Sequence, residues 1–103
     1  MRIKLKIKNI KMKQIKKGFV LRQVCGENVI MGEGLDAINF GKLLSLNETA
    51  TWLWQQATEM GAFSAETLAE KLCQEYEVTQ EQAYNDVCAI LDKWQEVGVI
   101  EEK

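Results

Sequence analysis

The stretch KLLSLNETATWLW, residues 42–54, passes from a strand pattern to a helix pattern within a few positions. Its first half, Lys42 to Leu46, predicts a short β-strand. Ser45 and Asn47 both carry oxygens that accept hydrogen bonds from the free N–H groups of a first helical turn, so the helix is predicted to begin at one of them. Beyond this point apolar residues recur at helical spacing and form one stripe: Ala50, Leu53, Trp54 and Ala57.

Upstream of this stretch the sequence is typical of β-strands. The runs Phe19 to Val24 and Asn28 to Met31 are apolar and are joined by the turn Cys25-Gly26-Glu27, which predicts a hairpin. The segment from Leu35 to Phe40 fits either a short strand or an irregular connection. With the strand from Lys42, three antiparallel strands are expected.

Downstream the sequence is typical of three helices. The first is predicted to end at Gly61, the second to begin at Ser64, and the third to begin at Thr79 and end at Gly98, with Val99 and Ile100 folding back. The stripe of the second helix comprises Leu68, Ala69, Leu72, Cys73 and Tyr76. The stripe of the third comprises Ala83, Tyr84, Val87, Cys88, Leu91 and Trp94. The predicted fold class is therefore α+β: a winged helix-turn-helix, with a three-stranded antiparallel sheet followed by three helices.

Length and charge restrict the organisation further. The 103 residues suit one domain, which we divide into an N-terminal arm, 1–17, and a folded part, 18–103. Residues 1–22 hold nine of the thirteen Lys and Arg residues and no acid, whereas residues 23–103 carry four bases against fifteen acids, a net charge of −11. No apolar run approaches the roughly 20 residues of a membrane span, and no signal-peptide core is present, so the expected location is cytoplasmic.

The arm has a strand pattern of its own, because Ile3, Leu5 and Ile7 alternate with lysines. Three interpretations remain open. The arm is a docking strand for a partner, or an edge strand whose lysines prevent aggregation. Alternatively, the protein starts naturally at Met12 and residues 1–11 are dispensable.

The residue inventory argues against catalysis and against a metal. The chain has no histidine, and its three cysteines, Cys25, Cys73 and Cys88, are not closely spaced. Without histidine, the usual Ser or Cys catalytic triads cannot form. We therefore predict no enzyme activity, no catalytic residues, no cofactor and no metal.

A winged helix suggests DNA, but the charges oppose it. A recognition helix needs cationic or amide side chains and phosphate neutralisation. The predicted third helix instead carries four acids, Glu81, Asp86, Asp92 and Glu96, against Lys93 alone. A nucleic-acid partner is therefore not expected, and a DNA-binding regulator is kept only as an alternative.

The order and spacing of several segments resemble the PqqD family, also called RiPP recognition elements. These segments are GFVLRQV from Gly18, LSLNETA from Leu44, Leu53-Trp54, LAEKL from Leu68 with Glu75-Tyr76, Asp86-Val87 and Gly98-Val-Ile. The resemblance spans about Gly18 to Ile100. The Leu-Asn-Glu-Thr segment followed by Leu-Trp is its most specific part.

The resemblance implies a peptide chaperone without enzyme activity. Such a protein holds the leader of a ribosomally made precursor peptide and presents it to a radical SAM modifying enzyme, as in pyrroloquinoline quinone (PQQ) biosynthesis or a related pathway. The leader adds as a strand to the third strand of the sheet, beside the third helix. Carried over to this chain, the edge is Lys42, Leu43, Leu44, Ser45 and Leu46.

The resemblance also implies a facing wall on the third helix: Tyr84, Val87, Cys88 and Leu91, with Trp94 as a further candidate. For Cys88 and Trp94, packing in the core is the favoured alternative. A proline at Leu44 is expected to abolish peptide capture more than it unfolds the domain, because it deletes an N–H donor. A structural subunit that forms a homodimer through this sheet edge is the remaining alternative.

Overall fold

A computed structural model describes residues 11–33 and 44–103, and within them the chain forms six strands and three helices. The strands are β1 (Lys13–Ile15), β2 (Phe19–Val24), β3 (Glu27–Gly32), β4 (Leu44–Leu46), β5 (Ala62–Phe63) and β6 (Ile100–Glu102). The helices are α1 (Glu48–Met60), α2 (Ala65–Glu75) and α3 (Gln80–Val97). The predicted α+β fold with an antiparallel three-stranded sheet and three helices is confirmed. The predictions on residues 1–10 and 34–43, including Lys42 and Leu43, lie outside the described residues.

The predicted sheet has the strand order β2-β3-β4, and both pairings are antiparallel. A two-residue turn, Cys25–Gly26, joins β2 to β3, and both residues have positive φ, 53° and 81°. Two left-handed residues are the requirement of a type I′ turn, whose twist matches that of the flanking strands. Glu27, expected in the turn, is the first residue of β3.

A second small sheet, with the order β5-β1-β6, was not predicted. The strand β1 comes from the part of the sequence predicted as an arm, and it pairs with β5 and β6 on its two sides. The Lys16 N–H also donates to the Val99 carbonyl at 3.0 Å. Residues 13–16 therefore join the end of α1 to the C-terminal segment after α3.

The helix ends follow the predicted caps closely. Asn47, not Ser45, is the cap of α1, since its side chain accepts from the Ala50 N–H at 2.8 Å. The side chain of Thr79 accepts from the Gln82 N–H at 3.1 Å. At Gly98 a left-handed conformation, φ 88°, ends α3, a geometry that glycine adopts without strain.

One core packs the apolar stripes of the helices against one face of the β2-β3-β4 sheet, through Ile30 and Leu46. Trp54 of α1 and Trp94 of α3 meet edge to face, with ring centroids 5.1 Å apart. The prediction for Tyr76 is wrong: it caps the end of α2, is exposed, and lies against Trp52, 5.7 Å between ring centroids. Cys73 and Cys88 are half-buried, so both cysteines stand at the margin of their helix stripes.

The buried N-cap of α2 should stabilise the domain more than the exposed N-cap of α3. Ser64 is fully buried and forms a reciprocal capping box with Thr67: its side chain accepts from the Thr67 N–H at 3.1 Å, and its own N–H donates to Thr67 Oγ1 at 2.9 Å. Ser64→Ala should lower the free energy of unfolding by about 1–2 kcal/mol, measured by urea denaturation. The matched change at the exposed cap, Thr79→Ala, should cost less, about 0.5–1 kcal/mol. Equal losses for the two variants would contradict a role of burial at Ser64.

Candidate functional site: the outer edge of β4

The outer side of β4 carries no partner strand within residues 11–33 and 44–103. The described sheet ends at β4, which pairs with β3 on its other side. In an antiparallel sheet each edge strand presents the N–H and C=O groups of alternate residues to the outside. Which residues of β4 do so depends on the hydrogen-bond pattern of the whole sheet.

That pattern is determined by the β2-β3 hairpin. The residues that flank a two-residue turn form a hydrogen-bonded pair, here Val24 and Glu27 on either side of Cys25–Gly26. Six residues earlier, in the same register, the Gly18 carbonyl accepts from the Glu33 N–H at 2.6 Å. The odd-numbered residues of β3 therefore bond to β2, and its even-numbered residues face β4 with their main-chain groups.

The register of β4 then assigns its groups. Leu44 lies opposite Ile30 and Leu46 opposite Asn28, so Leu44 and Leu46 use their main-chain groups inside the sheet. Ser45 lies between them, and its N–H and C=O point away from β3. Among the described residues of β4, Ser45 offers its main-chain groups at this edge, and Leu44 and Leu46 do not.

The side chains alternate in the opposite sense. Leu46 is buried and Leu44 is half-buried against the core. The Ser45 side chain is exposed on the other face of the sheet, and its hydroxyl donates to Glu27 Oε1 at 3.4 Å. A peptide along this edge would thus meet Ser45 through its main chain and Leu44 through its side chain.

Two of the four predicted wall residues on α3 are interior. Val87 is 0 % exposed and Leu91 is 2 % exposed, and both belong to the core, as does Trp94 at 1 %. Tyr84 is 41 % exposed and Cys88 is half-buried. The accessible part of the predicted wall is therefore Tyr84 and Cys88, supported from beneath by Val87 and Leu91.

Tyr84 also lies against α2. With Glu66, Ala69, Glu70 and Gln80 it lines an open cavity of about 280 Å³ between the two helices. A hydrogen bond with Cys88, the charge that Cys88 acquires on ionisation, the Glu66 carboxylate and slight desolvation all raise the pKa of the Tyr84 phenol above 10.0. The phenol therefore stays protonated near neutral pH and remains a hydrogen-bond donor beside two carboxylates.

This pKa can be tested. Cys88→Ala removes the hydrogen bond and the neighbouring thiolate, the two largest causes, and should lower the pKa of Tyr84 towards 10.0. The pKa is measured from the ring resonances of Tyr84 by NMR across pH 8 to 12. Glu66→Gln should lower it by a smaller amount, and Glu81→Gln should leave it unchanged. An unchanged pKa in Cys88→Ala would contradict the contact.

The exposed faces of α2 and α3 are acidic. Glu66 and Glu70 on α2 and Glu81, Asp86 and Asp92 on α3 are all exposed. A surface of this sign repels phosphate and attracts lysine and arginine. The described residues hold no group of three or more Cys, Asp or Glu side chains placed to bind a metal. None of the helices in 11–33 and 44–103 has the length and hydropathy to span a bilayer.

The fold places the chain in a structural class with known members. It is similar to the structure of TbiB1 in complex with the TbiA(beta) leader peptide, with 18 % identity, a TM-score of 0.69, and coverage of 85 % of this chain and 94 % of that one. It is also similar to lasso peptide synthetase B1 complexed with the leader peptide, with 22 % identity, a TM-score of 0.68, and coverage of 86 % and 96 %. The class is the fold of RiPP recognition elements.

The sequence comparison then identifies the family. Residues 27–100 match the family described as coenzyme PQQ synthesis protein D (PqqD), and the chain belongs to it. The resemblance inferred from the sequence is thereby confirmed. No curated protein matches the chain in sequence.

Proposed function

We propose that this chain is a leader-peptide-binding RiPP recognition element. It binds the leader of a ribosomally made precursor peptide by strand addition along β4 and presents it to a radical SAM modifying enzyme, in PQQ biosynthesis or a related peptide pathway. The proposed edge is Lys42, Leu43, Leu44, Ser45 and Leu46. The proposed facing wall is Tyr84 and Cys88, with Val87 and Leu91 buried in the core and without surface for a peptide to touch.

The observation that carries this proposal is the outward main chain of Ser45 on a strand that ends the described sheet. An extended peptide that pairs there gains main-chain hydrogen bonds, and side-chain pockets beside the edge supply specificity. Membership of the PqqD family and the leader peptides bound in the two similar structures support the same use of the fold.

The charges indicate which leaders fit. The exposed acids of α2 and α3 favour a leader that carries lysine or arginine next to its strand-forming segment. Such charges chiefly raise the association rate and select among leaders, whereas the strand pairing holds the peptide. Leader binding should therefore weaken as salt rises.

We also propose that the domain acts without catalysis. Its contacts with the leader would be main-chain hydrogen bonds and packing, which need no nucleophile, general base or metal. The chain has no histidine to serve as a general base. Any bond-making belongs, in this proposal, to the partner enzyme.

The function is tested by NMR with a synthetic leader of the precursor peptide encoded nearest to this gene. The Ser45 amide should shift on titration and become protected from hydrogen exchange, whereas the amides of Leu44 and Leu46 are already protected in the free protein. A scrambled leader of the same composition is the control. Binding with no change at Ser45 would reject the β4 edge.

The alternative functions give different results in the same preparation. A structural subunit that pairs its own edges would sediment as a dimer and would protect the Ser45 amide before any peptide is added. A DNA-binding regulator would retard a duplex at low salt, and that retardation would survive replacement of Arg2, Lys4, Lys6 and Lys8. Either result would contradict the proposed leader binding.

A further inference from the structure

The opposite edge of the same sheet also borders an open groove. Its central part is a cavity of about 380 Å³ between β2 and α1, lined by Val20, Leu21, Trp54 and Thr58. Phe19 and Thr58 are shared with a cavity of about 590 Å³ that reaches Gln14 and Lys103. Gln55 is shared with a third, of about 480 Å³, which reaches Asn28. The first two cavities lie beside β2, and the third continues along α1 to Asn28 of β3.

The edge of β2 has the same alternation as that of β4. Val20, Arg22 and Val24 bond to β3, because they share the register of the Val24 and Glu27 pair. The main-chain groups of Leu21 and Gln23 consequently point away from β3. The Leu21 carbonyl is accordingly free of β3 and accepts a hydrogen bond from Nη1 of the neighbouring Arg22, 3.2 Å away.

The groove would receive the apolar face of an added strand. Leu21 and Phe19 lie on the core face of the sheet and pack against the core cluster. A strand paired with β2 would place every second side chain on that face, over Trp54 and Thr58 of α1. Its other side chains would lie on the outer face of the sheet, next to the exposed Arg22 and Val24. The strand that fits alternates apolar and polar residues.

The chain itself contains such a segment. Residues 1–10, MRIKLKIKNI, place Met1, Ile3, Leu5 and Ile7 on one face of a strand and Arg2, Lys4, Lys6 and Lys8 on the other. Residues 23–103, which form most of the fold, have a net charge of −11, so the field of the domain attracts these lysines. The pattern and the charge both match the groove.

Residues 1–10 also join the fold at a point from which they can reach the groove. The Met12 carbonyl accepts from the Lys103 N–H at 3.0 Å, and Lys103 lines one end of the groove. Ten extended residues span about 33 Å, and the six residues of β2 span about 20 Å, so the segment can cover the strand and the approach to it. Running back from that end along β2, the segment would be antiparallel to it.

We propose that residues 1–10 dock as an antiparallel strand on the β2 edge of their own chain, with Ile3, Leu5 and Ile7 in the groove against α1. The segment would extend the β2-β3-β4 sheet at the edge opposite β4. The role of the Lys-rich segment is then to cover this edge. The proposal does not depend on what binds at β4.

Amide exchange in the full chain, followed by NMR, tests the docking. The amides of Leu21 and Gln23 should be protected in the wild-type protein. In the variant Ile3→Ser/Leu5→Ser/Ile7→Ser their protection should fall by at least about 10-fold. The amides of Val20, Arg22 and Val24 bond to β3 and should keep their protection in both proteins, which shows that the domain remains folded.

A matched variant with three serines on the other face, Lys4→Ser/Lys6→Ser/Lys8→Ser, should lose less than about threefold of the protection of Leu21 and Gln23, since these lysines lie outside the groove and act only through the screened field of the domain. Freely exchanging Leu21 and Gln23 amides in the wild-type chain would overturn the proposal. So would protection that the apolar triple variant leaves unchanged. Protection that disappears on dilution would also overturn it, because the occupant would then be a second copy.

Discussion

Ser45→Pro is expected to weaken leader binding about 10- to 100-fold while the domain stays folded. Proline has no N–H, and its ring occupies the side of the strand on which a leader would lie. The Ser45 N–H is not used inside the sheet, so the free energy of unfolding should change by less than about 1 kcal/mol. Binding is measured by isothermal titration calorimetry with the synthetic leader, and stability by urea denaturation.

Two neighbouring variants make this result specific. Ser45→Ala keeps the N–H and loses only the 3.4 Å contact with Glu27, so it should bind within about twofold of wild type. Leu44→Pro should instead lower the free energy of unfolding by about 2–4 kcal/mol, because the Leu44 N–H belongs to the pairing with Ile30. Wild-type binding by Ser45→Pro, or a stable Leu44→Pro, would show that the assigned alternation is wrong.

The structure moves the position at which a proline should block leader binding from Leu44 to Ser45. A proline at Leu44 was expected to disable capture, because the sequence indicates a strand but not which side of it each amide faces. That side is determined by the two-residue turn at Cys25–Gly26 and transmitted through the register of β3. Register depends on pairing between distant residues, which local patterns do not contain.

The distance along the chain between interacting residues also explains why the helix caps were predicted and the second sheet was not. The helix caps Asn47, Ser64 and Thr79 could be predicted because a cap acts on residues two or three positions away. The β5-β1-β6 sheet was missed because its strands are two or three residues long and come from distant parts of the chain. Short strands carry too few residues to show an alternating pattern.

The helix stripes were predicted well at their centres and poorly at their margins. Val87, Leu91 and Trp94 are buried, but Tyr84, three residues before Val87 on the same stripe, is exposed. Helical spacing shows which residues share the apolar face of a helix. It does not show how much of that face the neighbouring helix covers, so the residues at its margin can be either buried or exposed. Tyr84 lies at the margin, where α2 leaves an open cavity. Marginal positions of this kind are the ones available for binding.

Trp94→Ala is expected to cost about 3–5 kcal/mol of unfolding free energy, the largest loss from any single change considered for this domain. The indole is 1 % exposed and meets Trp54 edge to face at 5.1 Å, so truncation leaves a large cavity in the centre of the core. The free energy of unfolding of such a domain is about 5–15 kcal/mol. The melting temperature of the variant, followed by circular dichroism, should therefore lie far below that of the wild type.

The matched change is Trp52→Ala. This indole is half-buried and contacts the exposed Tyr76 ring at 5.7 Å, so its loss should cost only about 1–2 kcal/mol. The pair separates the two roles that the sequence left open for Trp94. A peptide-contacting residue would lose leader affinity with little loss of stability, whereas a core residue loses stability first. Because Trp94 has almost no surface for a peptide to touch, Trp94→Ala should weaken leader binding only in proportion to the fraction of molecules that unfold.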